Sequence, residues 1–135
     1  MHPIYLCSMG ANIAPENNFA AARELISELG KAYYSRAIYT QPVNMHSDND
    51  FLNALFLLVS PLDSDALKSR FNAIEISLGR DRSDPMSSKK DRPMDIDILG
   101  ELSVDDVWQE VPTYLDDVVQ SLKPIADQLI QTQGA

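Results

Sequence analysis

The nine-residue run "FLNALFLLV" (51–59) constrains the fold more than any other part of the sequence, because every residue in it except Asn53 is apolar. The run is shorter than the roughly 18 apolar residues that a membrane span needs. It also lacks the apolar-polar alternation of a strand with one wet face, so both of its faces are expected to be covered. We therefore predict a central strand, and Asn53 inside it needs a polar partner.

Apolar patterns on either side of this run predict the rest of a sheet and two helices. The first helix begins at Pro15 and ends at Gly30, and the second begins after Asp63 or Ser64 and ends at Gly79. The predicted strands are residues 4–8, 32–40, 51–59 and 94–99. The order strand, helix, strand, strand, helix, strand is the ferredoxin-like βαββαβ pattern, an α+β fold in which helices pack on an antiparallel sheet.

The length favours one domain, residues 1–135, made of a core (1–100) and a C-terminal segment (101–135). In that segment an amphipathic stretch, 115–130, predicts a further helix, which Pro124 kinks or divides.

Charge and cysteine content narrow the possible partners and compartment. The net charge of −9 argues against binding to nucleic acid or an anionic membrane, since the mean field repels polyanions. The single cysteine, Cys7, lies in an apolar stretch and is expected to be buried in a reducing compartment. With no apolar run long enough for a span and no signal-peptide pattern at the start, we expect a cytoplasmic protein.

The segment "RPMDIDIL" (92–99) places Asp95 and Asp97 on one face of a strand, about 7 Å apart, with apolar residues on the other face. Two carboxylates this close need a compensating cation. Five of the 11 basic residues fall within 80–92, directly before them. Such an arrangement suits a phosphorylated ligand carried with a divalent metal. On charge alone, a solvated loop balanced by its own aspartates is the preferred alternative.

Four motifs in order, "YTQPVN", "DFLNAL", "IEISLGRDR" and "RPMDIDIL", resemble the 6-hydroxymethyl-7,8-dihydropterin pyrophosphokinase family. The resemblance implies transfer of pyrophosphate from ATP to a pterin alcohol in folate biosynthesis. It implies that Asp95 and Asp97 hold two Mg²⁺ ions that bridge the ATP phosphates, a ligand type that Mg²⁺ favours. The partners it implies are ATP and a pterin, and we expect a monomer.

The resemblance also assigns individual residues. Catalytic roles fall on Arg80, Arg92, Asp95 and Asp97. ATP binding falls on Asn72, Glu75, Arg80, Arg82, Arg92, Ile98 and Tyr114, although Asn72 and Glu75 lie off the apolar stripe of the second helix. Pterin binding falls on Thr40, Gln41, Val43, Phe51, Asn53 and Asp95, where an aromatic face and an amide suit a flat ring edged with donors and acceptors.

The sequence departs from the family pattern mainly after residue 82. Residues 83–91 contain no tryptophan, and Thr113 stands where a histidine is typical. Two further hypotheses therefore stay open: a non-catalytic or altered-substrate paralogue that binds a nucleotide, a pterin or a protein, and an acidic interaction domain without a small-molecule site.

Overall fold

The computed structural model describes residues 2–41, 50–80, 92–102 and 106–134. Within these ranges there are five strands: β1 (Ile4–Ala11), β2 (Lys31–Tyr34), β3 (Ile38–Thr40), β4 (Phe51–Val59) and β5 (Asp95–Glu101). The α-helices of the described residues are α1 (Pro15–Ser27), α2 (Ser64–Ser77) and α3 (Asp116–Gly134). Two short 3-10 turns, Val107–Glu110 and Thr113–Leu115, lead into α3.

The strands form one antiparallel sheet in the order β2-β4-β1-β5, and β3 also pairs with β4. When β2 and β3 are taken as one interrupted strand, this is the strand order of the predicted ferredoxin-like fold, which is confirmed. As predicted, β4 lies inside the sheet, and all of its residues except Val59 are buried.

Both faces of the sheet are covered, each by different helices. On one face, α1 and α2 enclose a large apolar cluster that includes Phe19, Phe56 and Phe71. On the other face, α3 and the preceding turns pack on Leu6 and Leu55. Strand alternation therefore assigns alternate residues of β1, β4 and β5 to two separate cores.

Cys7 is fully buried within the first cluster, as predicted. Burial raises the pKa of its thiol well above the usual value, and the nearby charge of Asp97 adds to this.

The predicted single strand 32–40 is wrong in detail, because residues 35–37 separate β2 from β3. At this break Ser35 N–H donates to the Leu55 carbonyl at 2.9 Å, and the Ser35 hydroxyl accepts the Leu55 N–H at 3.0 Å. A side-chain oxygen thus takes the place of a backbone carbonyl in the ladder, and the strand pairing is locally interrupted.

Pro124 lies inside α3, which is one helix and not two. A proline leaves the carbonyl four residues earlier without its helical donor. Here that carbonyl belongs to Gln120, and both residues are exposed, so water can satisfy it. Within the described part of the chain, none of the helices combines the length and apolar character needed to cross a bilayer.

Candidate active site

Asp95, the first residue of β5, lies between two arginines. Nη1 of Arg80 donates to Oδ1 at 2.8 Å, and Nη1 of Arg92 donates to Oδ2 at 2.9 Å. The exposed fractions of the Arg80, Arg92 and Asp95 side chains are 7%, 19% and 20%. Hydrogen bonds between charged groups in such a partly buried place are short and strong, so these two guanidinium groups are held in fixed positions.

The end of α2 delivers Arg80 to this place. After the helix, Gly79 has φ +106°, a conformation that glycine adopts at little cost. Its N–H donates to the Ile76 carbonyl at 3.0 Å, and Arg80 N–H donates to the Glu75 carbonyl at 3.0 Å. These two bonds make a Schellman motif, which reverses the chain and points it toward β5. Gly79 thus explains both where α2 ends and where Arg80 lies.

Glu75 is the buried neighbour of this arrangement, with none of its surface exposed. Its Oε2 accepts the Ile96 N–H at 2.7 Å and lies 3.6 Å from Nη1 of Arg80. Nη1 of Arg80 therefore has a carboxylate on each side, Glu75 within α2 and Asp95 on β5.

Arg92 is fixed by the loop that follows β1. Its N–H donates to Oδ1 of Asn12 at 2.6 Å, and its carbonyl accepts the Asn12 N–H at 2.9 Å. The guanidinium carbon also lies 5.8 Å from the centre of the Phe51 ring, within cation–π range. Arg92 thus links the acidic strand to the start of β4.

Asn53, Gly10 and Asp95 lie opposite one another on β4, β1 and β5, so they share one face of the sheet. Asn53 is 5% exposed, and its Nδ2 donates to the Thr40 hydroxyl at 2.6 Å. A Cβ on Gly10 would lie only 2.7 Å from Oδ1 of Asn53. The glycine therefore makes room for the amide oxygen in the middle of the sheet.

Asp97 is exposed and lies opposite Ser8 on the same face. Tyr114, on the turn before α3, is close enough for the charges of Asp95 and Asp97 to act on its hydroxyl. Partial burial raises the pKa of its hydroxyl, and the charges of Asp95 and Asp97 raise it further, while Arg92 lowers it. The C-terminal segment thus places a half-exposed phenol beside the carboxylates.

A cavity of about 550 Å³ lies along the part of β5 that follows Asp97. Its apolar walls come from Tyr5, Ile98, Leu99 and Val107, and its acidic groups are Glu101, Asp106 and Glu110. Its size is within the range of small-molecule sites.

The profile of the 7,8-dihydro-6-hydroxymethylpterin-pyrophosphokinase family matches residues 6–124. The chain belongs to this family. Two proteins named 2-amino-4-hydroxy-6-hydroxymethyldihydropteridine pyrophosphokinase, from two strains of Porphyromonas gingivalis, are each 35% identical to it over 99 residues. Those 99 residues are 71% of this chain and 67% of each relative.

Most site residues predicted from the pyrophosphokinase resemblance lie together. One face of the sheet carries Thr40, Phe51, Asn53, Asp95 and Asp97. On this face Arg80 and Arg92 bind Asp95, and these three residues are called the Asp95 cluster. Tyr114 lies near the two carboxylates. Ile98 lines the cavity, and Asn72 is half-buried on α2. Gln41 is exposed just after β3, and Val43 and Arg82 lie outside the described residues. The functional roles of all these residues stay predictions.

Sequence reasoning missed two residues that shape the site, Gly10 and Asn12. Both lie just beyond the predicted first strand (4–8), in "SMGAN" (8–12). A glycine at the end of a strand does carry a usable signal, because it marks a place where another group approaches the backbone.

Proposed function

We propose that this chain transfers a pyrophosphoryl group from ATP to the hydroxymethyl group of 6-hydroxymethyl-7,8-dihydropterin, with Mg²⁺, in folate biosynthesis. Membership of the family supports the reaction class. The observation that carries the proposal is the Asp95 cluster, in which one carboxylate holds two guanidinium groups.

The acidic pair fits Mg²⁺ at the level of donor chemistry. Asp95 and Asp97 project from the same face of β5 and would form a two-carboxylate site. Mg²⁺ commonly takes one or two carboxylates and completes its shell with water and substrate phosphates. Each oxygen of Asp95 has a second lone pair besides the one that accepts from arginine. When bound, the metal would neutralise phosphate charge.

The arginines supply the remaining positive charge. Arg80 and Arg92 are planar donors that match phosphate oxygens, and their Nη1 atoms are already held by Asp95. In the described part of the chain, the buried Nε of Arg80 has no hydrogen-bond partner. Phosphoryl-type transfer depends on positioning and charge stabilisation, and it needs no protein nucleophile. Both arginines would stabilise the charge that develops as AMP leaves.

The pterin would lie over Asn53, Gly10 and Asp95, which are neighbours across β4, β1 and β5 and are called the Asn53 row. Because Nδ2 of Asn53 donates to the Thr40 hydroxyl and lies 3.4 Å from the Phe51 carbonyl, its Oδ1 is the atom that would accept from a pterin N–H. The Phe51 side chain lies on the same face of β4 and offers an aromatic surface. Backbone groups of Gln41 and Val43 complete the proposed pterin site, with Asp95 at the reacting end.

The cavity along β5 would receive the adenine base. Leu99 lies two residues after Asp97 on the same side of β5 and lines the cavity, and Ile98 lines it from the other side of this edge strand. A nucleotide with its phosphates at the carboxylates would place its base against this apolar wall. The proposed nucleotide contacts are completed by Tyr114, Asn72 and Arg82. Glu75, the remaining residue predicted for ATP binding, is buried beside Arg80 and would act through that arginine.

The remaining sequence predictions are proposals too. We propose one domain, because α3 and the turns before it pack on the sheet and make residues 101–135 part of the same core. We also propose a cytoplasmic monomer that does not bind nucleic acid, consistent with the net charge of −9.

The decisive experiment measures AMP release from ATP, with and without 6-hydroxymethyl-7,8-dihydropterin, in Mg²⁺ and in excess chelator. AMP that appears only with both pterin and Mg²⁺ supports the proposal. Binding of the pterin or of Mg-ATP without AMP release refutes turnover and supports the non-catalytic paralogue. Absence of both binding and release supports an interaction domain.

A further inference from the structure

The strongest unexplained feature is a charged side chain inside the core. Glu75 has no exposed surface, although ionised carboxylates are rarely buried unless they are paired and hydrogen-bonded. Its neighbours on α2 that are also buried, Leu67, Phe71 and Ile74, are apolar. A buried carboxylate in such surroundings needs a reason.

Two of its contacts give that reason. Oε2 accepts the N–H of Ile96, which is the residue between Asp95 and Asp97. The same oxygen lies 3.6 Å from Nη1 of Arg80, the nitrogen that donates to Asp95. One oxygen atom therefore fixes the backbone between the two carboxylates and attracts the arginine that holds the first of them.

The burial also argues against direct contact with a nucleotide. A ligand outside the core cannot reach a side chain with zero exposure unless α2 separates from β5, and α2 and β5 pack closely against each other. The effect of Glu75 on a ligand is therefore indirect, through the groups that it contacts, which include Arg80 and β5.

We propose that Glu75 is a positioning residue for the pyrophosphoryl transfer, setting Arg80 and the Asp95–Asp97 spacing without touching ATP. The inference rests on the proposed function for its kinetic part. It predicts that loss of the Glu75 charge lowers kcat and leaves the KM for Mg-ATP nearly unchanged, because Arg80 acts most strongly in the transition state.

The test compares Glu75→Gln with Glu24→Gln, which makes the same chemical change at an exposed site on α1. Glu75→Gln keeps an oxygen for the Ile96 N–H and removes the charge beside Arg80. We expect kcat to fall about 10- to 100-fold, the loss typical of an outer-shell partner. The KM for Mg-ATP should stay within about threefold of the wild type, and Glu24→Gln should change neither value.

A double-mutant cycle with Arg80→Ala separates positioning from a general structural role. If Glu75 acts through Arg80, adding Glu75→Gln to Arg80→Ala should change kcat by less than about threefold. Independent, multiplying effects would overturn the proposal. So would a Glu75→Gln variant whose KM for Mg-ATP rises while kcat is kept, because that pattern indicates direct binding.

A readout without turnover keeps this inference separate from the proposed function. In ¹⁵N-arginine-labelled protein, the Arg80 side-chain signals should shift in Glu75→Gln and not in Glu24→Gln, even if the wild type proves inactive. Unchanged Arg80 signals would refute the inference. If Glu75→Gln does not fold, Glu75→Asp replaces it, because the shorter carboxylate keeps its charge but draws back from both contacts, and the same outcomes decide.

Discussion

Gly10→Ala tests the Asn53 row most directly. Gly10 does not have a positive φ, so its backbone accepts an alanine. The obstacle is the new Cβ, which would lie 2.7 Å from Oδ1 of Asn53 while its other nearest atoms are at 3.7 and 3.8 Å. Because the strands around it are fixed by the sheet, we expect the Asn53 amide to rotate and to lose its 2.6 Å bond to Thr40.

The expected cost follows from that rotation. A lost hydrogen bond and a buried amide without its partner together cost about 3 kcal/mol. Replacing glycine by alanine returns about 0.5 kcal/mol through the unfolded state. Gly10→Ala should therefore lower the free energy of unfolding by about 2.5 kcal/mol, which for a chain of this size corresponds to a Tm about 9 °C lower.

Two assays check this prediction, thermal denaturation and calorimetric titration with a dihydropterin. Pterin affinity should fall at least tenfold, while Mg-ATP affinity changes less than about twofold. In the Asn53→Ala background the clash is absent, so Gly10→Ala should cost nothing or stabilise slightly. If Gly10→Ala is as costly there as in the wild type, or costs nothing in the wild type, the explanation of this glycine is wrong.

Three other predictions follow from single contacts. Asp95→Asn leaves two partly buried guanidinium groups without their carboxylate and should destabilise the fold by about 2–3 kcal/mol. At the exposed Asp97, the Asp97→Asn change should alter stability by less than about 0.5 kcal/mol but weaken Mg-dependent nucleotide binding at least tenfold. Denaturation measures the stabilities and calorimetry the binding, and equal destabilisation by the two mutations would contradict the prediction. Burial raises the pKa of the Tyr34 hydroxyl to about 12. The stability that the protonated Tyr34 contributes is therefore fully present below the ordinary pKa of 10.0 and should be lost as pH rises from 10 to 12. Tyrosinate absorbance and melting temperature measure this loss, with Tyr34→Phe as the control. The Asp63 side chain caps α2 by accepting the Ala66 N–H at 2.8 Å. Asp63→Ala removes this cap and should lower the free energy of unfolding, measured by urea denaturation, by about 1 kcal/mol, whereas Asp63→Ser should keep most of that stability.

The sheet and its first two helices were predictable because periodicity reports burial directly. The unbroken apolar run of β4 required cover on both faces, and the alternation in β5 placed Asp95 and Asp97 on one of them. Asp63, one of two proposed N-caps, is the residue that caps α2. These features depend on neighbours close in sequence, which a single sequence contains.

The parts that could not be predicted depend on partners distant in sequence. Glu75 lies off the apolar stripe of α2, and only the packing of β5 against that helix buries it. The break at Ser35 depends on Leu55, and the role of Asn12 depends on Arg92, 80 residues away. No local pattern distinguishes these polar residues from ordinary surface or turn residues.

The separation of the two sheet faces into different cores affects how the ligand specificity of this chain can evolve. The groups proposed to recognise the pterin project from the face covered in part by α3, whereas the aromatic packing with α1 and α2 belongs to the opposite face. Mutations that alter ligand preference at positions such as Thr40 or Asn53 therefore do not disturb Phe56 or Phe71. New ligand specificities can therefore evolve without compensating mutations in the aromatic core.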